Sequence, residues 1–243
     1  MKYLKSEHIK YKRTISNKLL WIAPLFTALF AWLAGGFTGF QCMTFYWWYS
    51  FLLPGTIAIL CWLSLQKEKR AGKYFSVFSL SVDLARFEAA KSIIIAQKLI
   101  VAAVFLAVFV SINHVISPQM TVYSVWQSFG GSIAVLLASL WQIPLCLYLS
   151  RKAGVMLPVV LNVALGIFSQ TMLESSLIGW QFPYCWSAKT AEILLGIRMN
   201  GTFGGNVSFS YSAFLIIALS CVLFLGLTWL DAVEFAKQED KIK

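Results

Sequence analysis

The side chains of this chain that could do chemistry are concentrated in residues 66–92, its longest charged stretch between two hydrophobic runs. Asp83 is a typical N-capping residue and predicts a helix that begins at Leu84. Asp83 and Arg86, and likewise Glu88 and Lys91, are three residues apart, which is the spacing of ion pairs on a helix surface. We interpret this pattern as a short helix that presents charged and apolar side chains to a soluble partner.

Apolar side chains in the same segment are too frequent for a free loop and too interrupted for a membrane span. They predict a docking surface for a partner protein, formed by Tyr74, Phe78, Leu80, Leu84, Arg86, Phe87 and Glu88. The cations between Lys67 and Arg70 have a simpler explanation, because Lys and Arg at the end of a membrane helix extend their charged groups to the interface. The predicted contact region therefore runs from Tyr74 to Lys91.

Sequence signatures of catalysis are absent. Gly72-Lys73 is followed by Tyr74 and lacks the upstream glycine of a phosphate-binding loop. The two histidines, His8 and His114, lie in different segments, and neither H-E-x-x-H nor G-x-S-x-G occurs. The sequence therefore predicts a chain that is not an enzyme and that holds no cofactor or metal of its own.

Composition places these residues in a membrane protein. Of the 243 residues 59% are hydrophobic and only 12% are charged, about half the charged fraction of a soluble domain. The hydrophobic runs are long enough for membrane helices and too long for barrel strands. The predicted fold class is therefore an all-α integral membrane protein.

Six hydrophobic runs are each long enough to cross a bilayer core of about 30 Å as a helix. We predict membrane helices at Leu19–Phe37, Phe45–Leu65, Ile93–Val115, Ser128–Ser150, Ala153–Leu173 and Phe209–Leu230. Residues 19–230 then form one six-helix domain. It follows a basic amphipathic interfacial helix (residues 1–18) and precedes a short tail (residues 231–243).

The distribution of Lys and Arg predicts the orientation. With the N-terminus in the cytosol, every Lys and Arg except Lys189 and Arg198 lies in or beside a cytosolic segment, as the positive-inside rule requires. Both termini and the loop 66–92 are then cytosolic, and the loop 174–208, which has the pattern of a short amphipathic helix, is external. The predicted location is a cytoplasmic membrane.

Three residues near the predicted outer boundary could contact a substrate. Trp47 and Trp48 belong to an aromatic run that interfacial anchoring also explains, and Glu174 could be either an interfacial cap or the counter-charge of a cationic substrate. The five cysteines form no C-x-x-C and have the pattern of small buried hydrophobic residues. Whether Cys42 and Cys185 pair stays open.

The whole chain resembles an ABC-2-type permease, because six spans, internal termini and a helical segment between the second and third spans occur together. Trp47-Trp48-Tyr49, Leu53-Pro54 and Lys67-Glu68-Lys69-Arg70 resemble the MutE/EpiE family of lantibiotic-immunity permeases. So does Leu194-Leu195-Gly196-Ile197 with Asn200-Gly201.

This resemblance implies one subunit of a transporter that also contains an ABC ATPase and a second ABC-2-type permease. Such a complex exports a cationic lantibiotic from the producer's own membrane, with ATP bound by the partner. Two alternatives stay open: an ABC-2 exporter of another amphiphile, such as a drug or lipid, and a membrane protein that sequesters the peptide without a motor.

Overall fold

The computed structural model describes Tyr3, Glu7 and residues 14–70, 83–170, 177–205 and 210–239. Three residues of the predicted docking surface, Tyr74, Phe78 and Leu80, lie outside these ranges, as does the candidate substrate contact Glu174. So does most of the predicted N-terminal interfacial helix.

The described residues are predominantly helical, which confirms the predicted all-α class. They contain no strand, only an isolated antiparallel bridge between Ile197 and Phe203. The α-helices are α1 (Ile15–Trp47), α2 (Leu53–Arg70), α3 (Leu84–Ser111), α4 (Asn113–Ile116), α5 (Val125–Ser139), α6 (Gln142–Ala153), α7 (Met156–Phe168), α8 (Leu177–Gln181), α9 (Trp186–Leu195) and α10 (Tyr211–Glu239). A π-helix at Trp48–Leu52 connects α1 to α2, and 3₁₀ turns lie at Pro118–Met120 and Pro183–Cys185.

Three helical stretches of the described chain are long and apolar enough to cross a membrane: Ile15–Glu68, Leu84–Ile116 and Tyr211–Lys237. A fourth is formed by α5 and α6 if this pair, bent by 48°, counts as one span. The chain is therefore a helical membrane protein. These three or four stretches do not test the predicted number of six spans, which stays a prediction.

The stretch Ile15–Glu68 folds back on itself at Gly36. This glycine has φ 56° and ψ −159°, which no L-residue adopts easily. A Cβ atom on the adjacent Gly35 would lie only 2.9 Å from Met43 Cγ, so the two arms are tightly apposed. The two ends of the stretch meet as well, because Lys67 Nζ donates to Thr14 Oγ1 at 3.4 Å. Residues 15–68 are thus an antiparallel helical hairpin.

The remaining long helices run between the same two ends of the molecule. At one end, Gln41 Nε2 donates to the carbonyl oxygens of Val110 and Tyr123, which brings the turn of the hairpin to the end of α3 and the start of α5. At the other end, α3 begins beside Glu68, the end of α2. Glu88 and Val110 are separated by about 33 Å of helix at 1.5 Å per residue.

Large apolar side chains cover much of the outer surface of α1 and α10. On α10, Leu215, Val222, Leu225 and Trp229 each expose more than half of their accessible area. Contiguous apolar surface of this extent is avoided by soluble monomers and is the expected boundary with lipid or with another membrane helix. The interior, by contrast, is packed with fully buried side chains such as Trp48.

Candidate functional site

Five buried charged residues join four helices at the end of the molecule that the sequence predicts to be cytosolic. They are Glu68 of α2, Glu88 and Lys91 of α3, Arg151 of α6 and Asp231 of α10, and we refer to them as the charge clasp. Each exposes less than a tenth of its side chain. The clasp is the point at which the loop 66–92 meets the helical bundle.

Lys91 and Arg151 are the two cations of the clasp, and each bridges two carboxylates. Lys91 Nζ lies 2.7 Å from Glu68 Oε2 and 2.8 Å from Glu88 Oε2. Arg151 contacts Glu88 Oε1 at 2.7 Å through one terminal nitrogen and donates to Asp231 Oδ1 through the other. Glu88 therefore links the two cations, and through them the network reaches from α2 to α10.

Aromatic rings flank the cations. Lys91 Nζ lies 5.0 Å from the centre of the Phe87 ring and 5.8 Å from that of Phe235, and the Arg151 guanidinium lies 5.2 Å from Phe235. A cation over a ring face is attracted by the ring quadrupole, and more strongly when water is excluded. Leu84, Phe87 and Phe235 form a small apolar cluster against which Tyr3 packs.

Desolvation makes the clasp sensitive to the loss of any single member. Two buried ions repay their desolvation cost only through close mutual contact, and removal of one partner leaves the other uncompensated, at about 3–5 kcal/mol. The clasp therefore holds the ends of α2, α3, α6 and α10 in one arrangement.

Of the predicted docking residues that the structure describes, one is exposed and three are buried. Asp83 caps α3 as expected, since its side chain accepts from Arg86 N at 3.1 Å. Arg86 is 79% exposed and pairs with Asp83 at 2.9 Å. In contrast, Leu84, Phe87 and Glu88 are buried within the chain. The predicted ion pair between Glu88 and Lys91 is present, but it is buried inside the protein and not on the helix surface. There Glu68 also contacts Lys91, and Arg151 also contacts Glu88.

Arg151 and Asp231 were missed as site residues by the sequence reasoning. In the sequence, Arg151 is one of many basic residues assigned to the cytosolic side, and Asp231 directly follows the last predicted membrane helix. The available signal was an acidic residue directly after a run of apolar residues. Such a charge at a span end is costly and is usually paired within the bundle.

The aromatic candidates at the other end of the molecule are mostly buried. Trp48 is fully buried in the π-helix, whereas Trp47 is half-buried and packs edge-on against Tyr46 and Phe51. A π-helical turn is uncommon and frequently occurs at functional positions. Only Trp47 of this pair offers part of its ring to a ligand.

Tyr123 connects three segments at this end. Its hydroxyl donates to the carbonyl oxygen of Leu195 at 2.7 Å and lies 3.2 Å from Cys42 Sγ. Gln41 Oε1 accepts from the backbone N–H groups of Val122 and Tyr123. Burial in this apolar setting raises the pKa of the Tyr123 hydroxyl. Tyr123 therefore links helix α9 to α1.

A second buried polar network is centred on Asn162 of α7. Asn162 Nδ2 donates to Cys146 Sγ at 2.8 Å, and its oxygen accepts from the Tyr184 hydroxyl at 2.7 Å. Desolvation by burial also raises the pKa of Tyr184. Cys42 and Cys185 are both buried, and no disulfide joins them. Among the described residues, no group of three His, Cys, Asp or Glu side chains is arranged to hold a metal ion.

Comparison with known proteins adds no relative to this picture: no family model, curated protein or solved structure matches the chain.

Proposed function

We propose that this chain is the permease subunit of a multi-subunit ABC exporter in the bacterial cytoplasmic membrane. A separate ATPase subunit would drive it, and a second ABC-2-type permease would complete the complex. The proposed activity is self-immunity, the removal of a cationic lantibiotic from the membrane of the cell that makes it. The proposal extends the sequence resemblance, and the charge clasp supplies the structural argument for it.

Six membrane passes with both termini in the cytosol are part of the proposal. The hairpin of residues 15–68 provides two antiparallel passes, and α3 provides the third. The bent pair α5–α6 returns the chain to the clasp, because Arg151 ends this pair. The short helix α7 and the long helix α10 supply the last two passes, and Asp231 again lies at the clasp. The basic residues cluster at this end, which favours its cytosolic location.

The observation that carries the proposal is the position of the clasp at the start of α3. Helix α3 begins within the predicted docking segment, and its first two turns, which carry the last residues of that segment, are connected to α2, α6 and α10 through buried ion pairs. A partner that displaced the segment before α3 would therefore move four helix ends together. This is the mechanical connection that a permease without its own nucleotide site needs.

The docking residues divide into two roles under this proposal. Tyr74, Phe78, Leu80 and the exposed Arg86 are proposed to contact the ATPase. Leu84, Phe87 and Glu88 position the segment from inside, since they face Phe235 and the clasp. Trp47 and Glu174 stay proposed substrate contacts at the outer end. Trp48 is fully buried in the core.

Export of another amphiphile is the second candidate function, and two apolar grooves favour it. One, of about 420 Å³, lies between α5, α9 and α10 and is lined by Gly131, Leu195 and Phe214 among others. The other, of about 390 Å³, lies between α1 and the end of α3 and is lined by residues that include Trp32 and Phe109. Both have the size of pockets that accept small apolar molecules.

A test of the proposal compares the protection conferred by the wild-type chain with that conferred by Arg86→Glu. A strain that lacks the chain should become more sensitive to the cationic lantibiotic, and the wild-type chain should restore protection. Arg86→Glu should restore little, because it reverses the charge of the proposed contact with the ATPase without touching the interior. Arg198→Glu is the matched control, since Arg198 is an exposed arginine beyond α9, near the other end of the molecule.

Protein abundance in the membrane must be equal in all strains. Unchanged lantibiotic sensitivity of the deletion strain would contradict self-immunity, and altered sensitivity to another amphiphile would then support the second candidate. The third alternative is that the chain sequesters the peptide without a motor. It would be supported if the Arg86→Glu variant protected the cell fully and if the wild-type chain still protected a strain that lacks the ATPase.

A further inference from the structure

A groove between α6 and α10, beside the clasp, combines an apolar wall with acidic residues. Its volume is about 250 Å³, and its lining includes Pro144, Tyr148, Leu227, Leu230, Asp231 and Glu234. Pockets for drug-sized molecules begin at about 300 Å³. A single alkyl chain with a small head group therefore fits this groove better than a peptide does.

The polar end of the groove can accept positive charge. Asp231 is 4% exposed and uses Oδ1 to accept from Arg151, while its Oδ2 is buried without a hydrogen-bond partner among the described residues. Glu234 is 46% exposed at the same end. A buried carboxylate oxygen without a partner is costly, so a positive charge beside it would stabilise the site.

The chain already places a cation of its own at this end. Lys152 Nζ lies 3.2 Å from Glu234 Oε1, donates to the Tyr148 hydroxyl and lies 4.2 Å from the centre of the Tyr148 ring. An ammonium group over an aromatic face beside a carboxylate is the arrangement by which proteins bind alkylammonium ligands. Lys152 is 54% exposed, and an exposed pair of this kind is weak enough to exchange.

We propose that this groove binds an amphiphile with one alkyl chain and a cationic ammonium head, and that the Lys152 side chain competes with that head. The alkyl chain lies against Pro144, Leu227 and Leu230. The head displaces the Lys152 ammonium from Glu234 and the Tyr148 ring. The inference goes beyond the proposed export of a peptide, and it concerns binding by this chain alone, without an ATPase.

The experiment measures binding of radiolabelled dodecyltrimethylammonium to the full-length chain in phosphatidylcholine nanodiscs, with empty nanodiscs to subtract partition into lipid. Saturable binding is expected. Glu234→Gln should weaken it about threefold, the effect of one partly exposed ion pair. Lys152→Gln should tighten it by a similar factor, because it removes the tethered competitor and keeps the length of the side chain.

Lys237→Gln is the matched control, since Lys237 is an exposed cation further along α10, and it should leave the affinity unchanged. Unlabelled dodecyltrimethylammonium should displace the label, whereas dodecyl sulfate should not. Three results would overturn the inference: no binding above empty nanodiscs, equal displacement by dodecyl sulfate, or unchanged affinity in both Glu234→Gln and Lys152→Gln. All variants change exposed side chains, so their elution as monodisperse protein is expected and is checked first.

Discussion

At the scale of single residues, adjacent positions in this protein have very different consequences. Arg151 and Lys152 are neighbours, and both count equally in the charge pattern that predicts orientation. Arg151 is buried between Glu88 and Asp231, while Lys152 reaches outward to Glu234. Burial, rather than charge, decides which of the two holds the helices together.

Arg151→Gln is expected to destabilise the protein by about 3–5 kcal/mol, because it leaves Glu88 Oε1 and Asp231 without their buried cation. In a chain of this length such a loss corresponds to a fall in Tm of about 10 °C. Thermal unfolding in detergent, followed by loss of the monodisperse elution peak, measures it. Lys152→Gln is the matched control and should change stability by at most about 1 kcal/mol. Equal Tm values for the two variants would show that the clasp does not stabilise the bundle.

Burial of Tyr123 is expected to make the stability of the folded protein fall at alkaline pH. Its pKa is raised in the folded protein, so the folded state keeps the phenolic proton at pH values where the unfolded chain loses it. Stability is therefore fully present below the unfolded pKa of about 10 and falls as the pH rises above it. Tyr123→Phe should show a shallower fall in Tm between about pH 9 and 11, at the cost of about 1 kcal/mol at neutral pH for the lost hydrogen bond to Leu195.

Tyr211→Phe provides the control for this pH experiment, because the Tyr211 side chain is almost fully exposed and its replacement should leave the pH profile unchanged. An identical fall in Tm for the wild type and Tyr123→Phe would contradict the role given to burial of Tyr123.

At the scale of elements, helix α7 is held against the π-helix by close approach of the two backbones. A Cβ atom at Gly166 would lie 2.6 Å from the carbonyl oxygen of Ser50. A contact this short with backbone cannot be relieved by a side-chain rotation. The glycine therefore sets the distance at which α7 packs on the segment that contains Trp48.

Gly166→Ala is expected to cost about 1–3 kcal/mol, as overpacking of a tight interface does. Gly130 of α5 gives the matched control, since a Cβ atom there meets nothing within 4 Å. Gly130→Ala should be neutral or stabilise the protein by up to about 1 kcal/mol through its better helix propensity. Thermal unfolding of the two variants side by side measures the difference, and a Gly166→Ala protein as stable as Gly130→Ala would contradict the close packing.

The long helices are largely predictable from the sequence, because each contains a long apolar run. The sequence predicts the start at Leu84 from the Asp83 cap, but it treats this helix and the membrane helix from Ile93 as separate elements. The structure joins them into one helix, α3, because Glu88 and Lys91 are neutralised inside the protein by Glu68 and Arg151. Local hydropathy cannot register a pairing between residues 80 positions apart, such as Arg151 and Asp231. The same limit applies to the candidate site: Asp83 as a cap and Arg86 as an exposed cation were predictable, and the clasp was not.

At the scale of the whole molecule, the two ends of the bundle differ in how they are held together. The clasp end uses buried ion pairs, whereas the opposite end uses neutral hydrogen bonds from Gln41 and Tyr123. Helix α3 takes part in both, with Lys91 near its start and Val110 near its finish. We therefore expect a displacement at the clasp to reach α9 through α3, Gln41 and Tyr123.

The proposed movement of this chain by a separate ATPase is tested most directly by purification of the tagged chain from its native membrane. We expect an ABC ATPase with a phosphate-binding loop to co-purify in fixed ratio with the wild-type chain and with the Arg198→Glu variant. When equal amounts of the chain are recovered, the ATPase should be absent from the Arg86→Glu preparation. Recovery of the wild-type chain without any ATPase, from membranes in which it still protects the cell, would contradict the account.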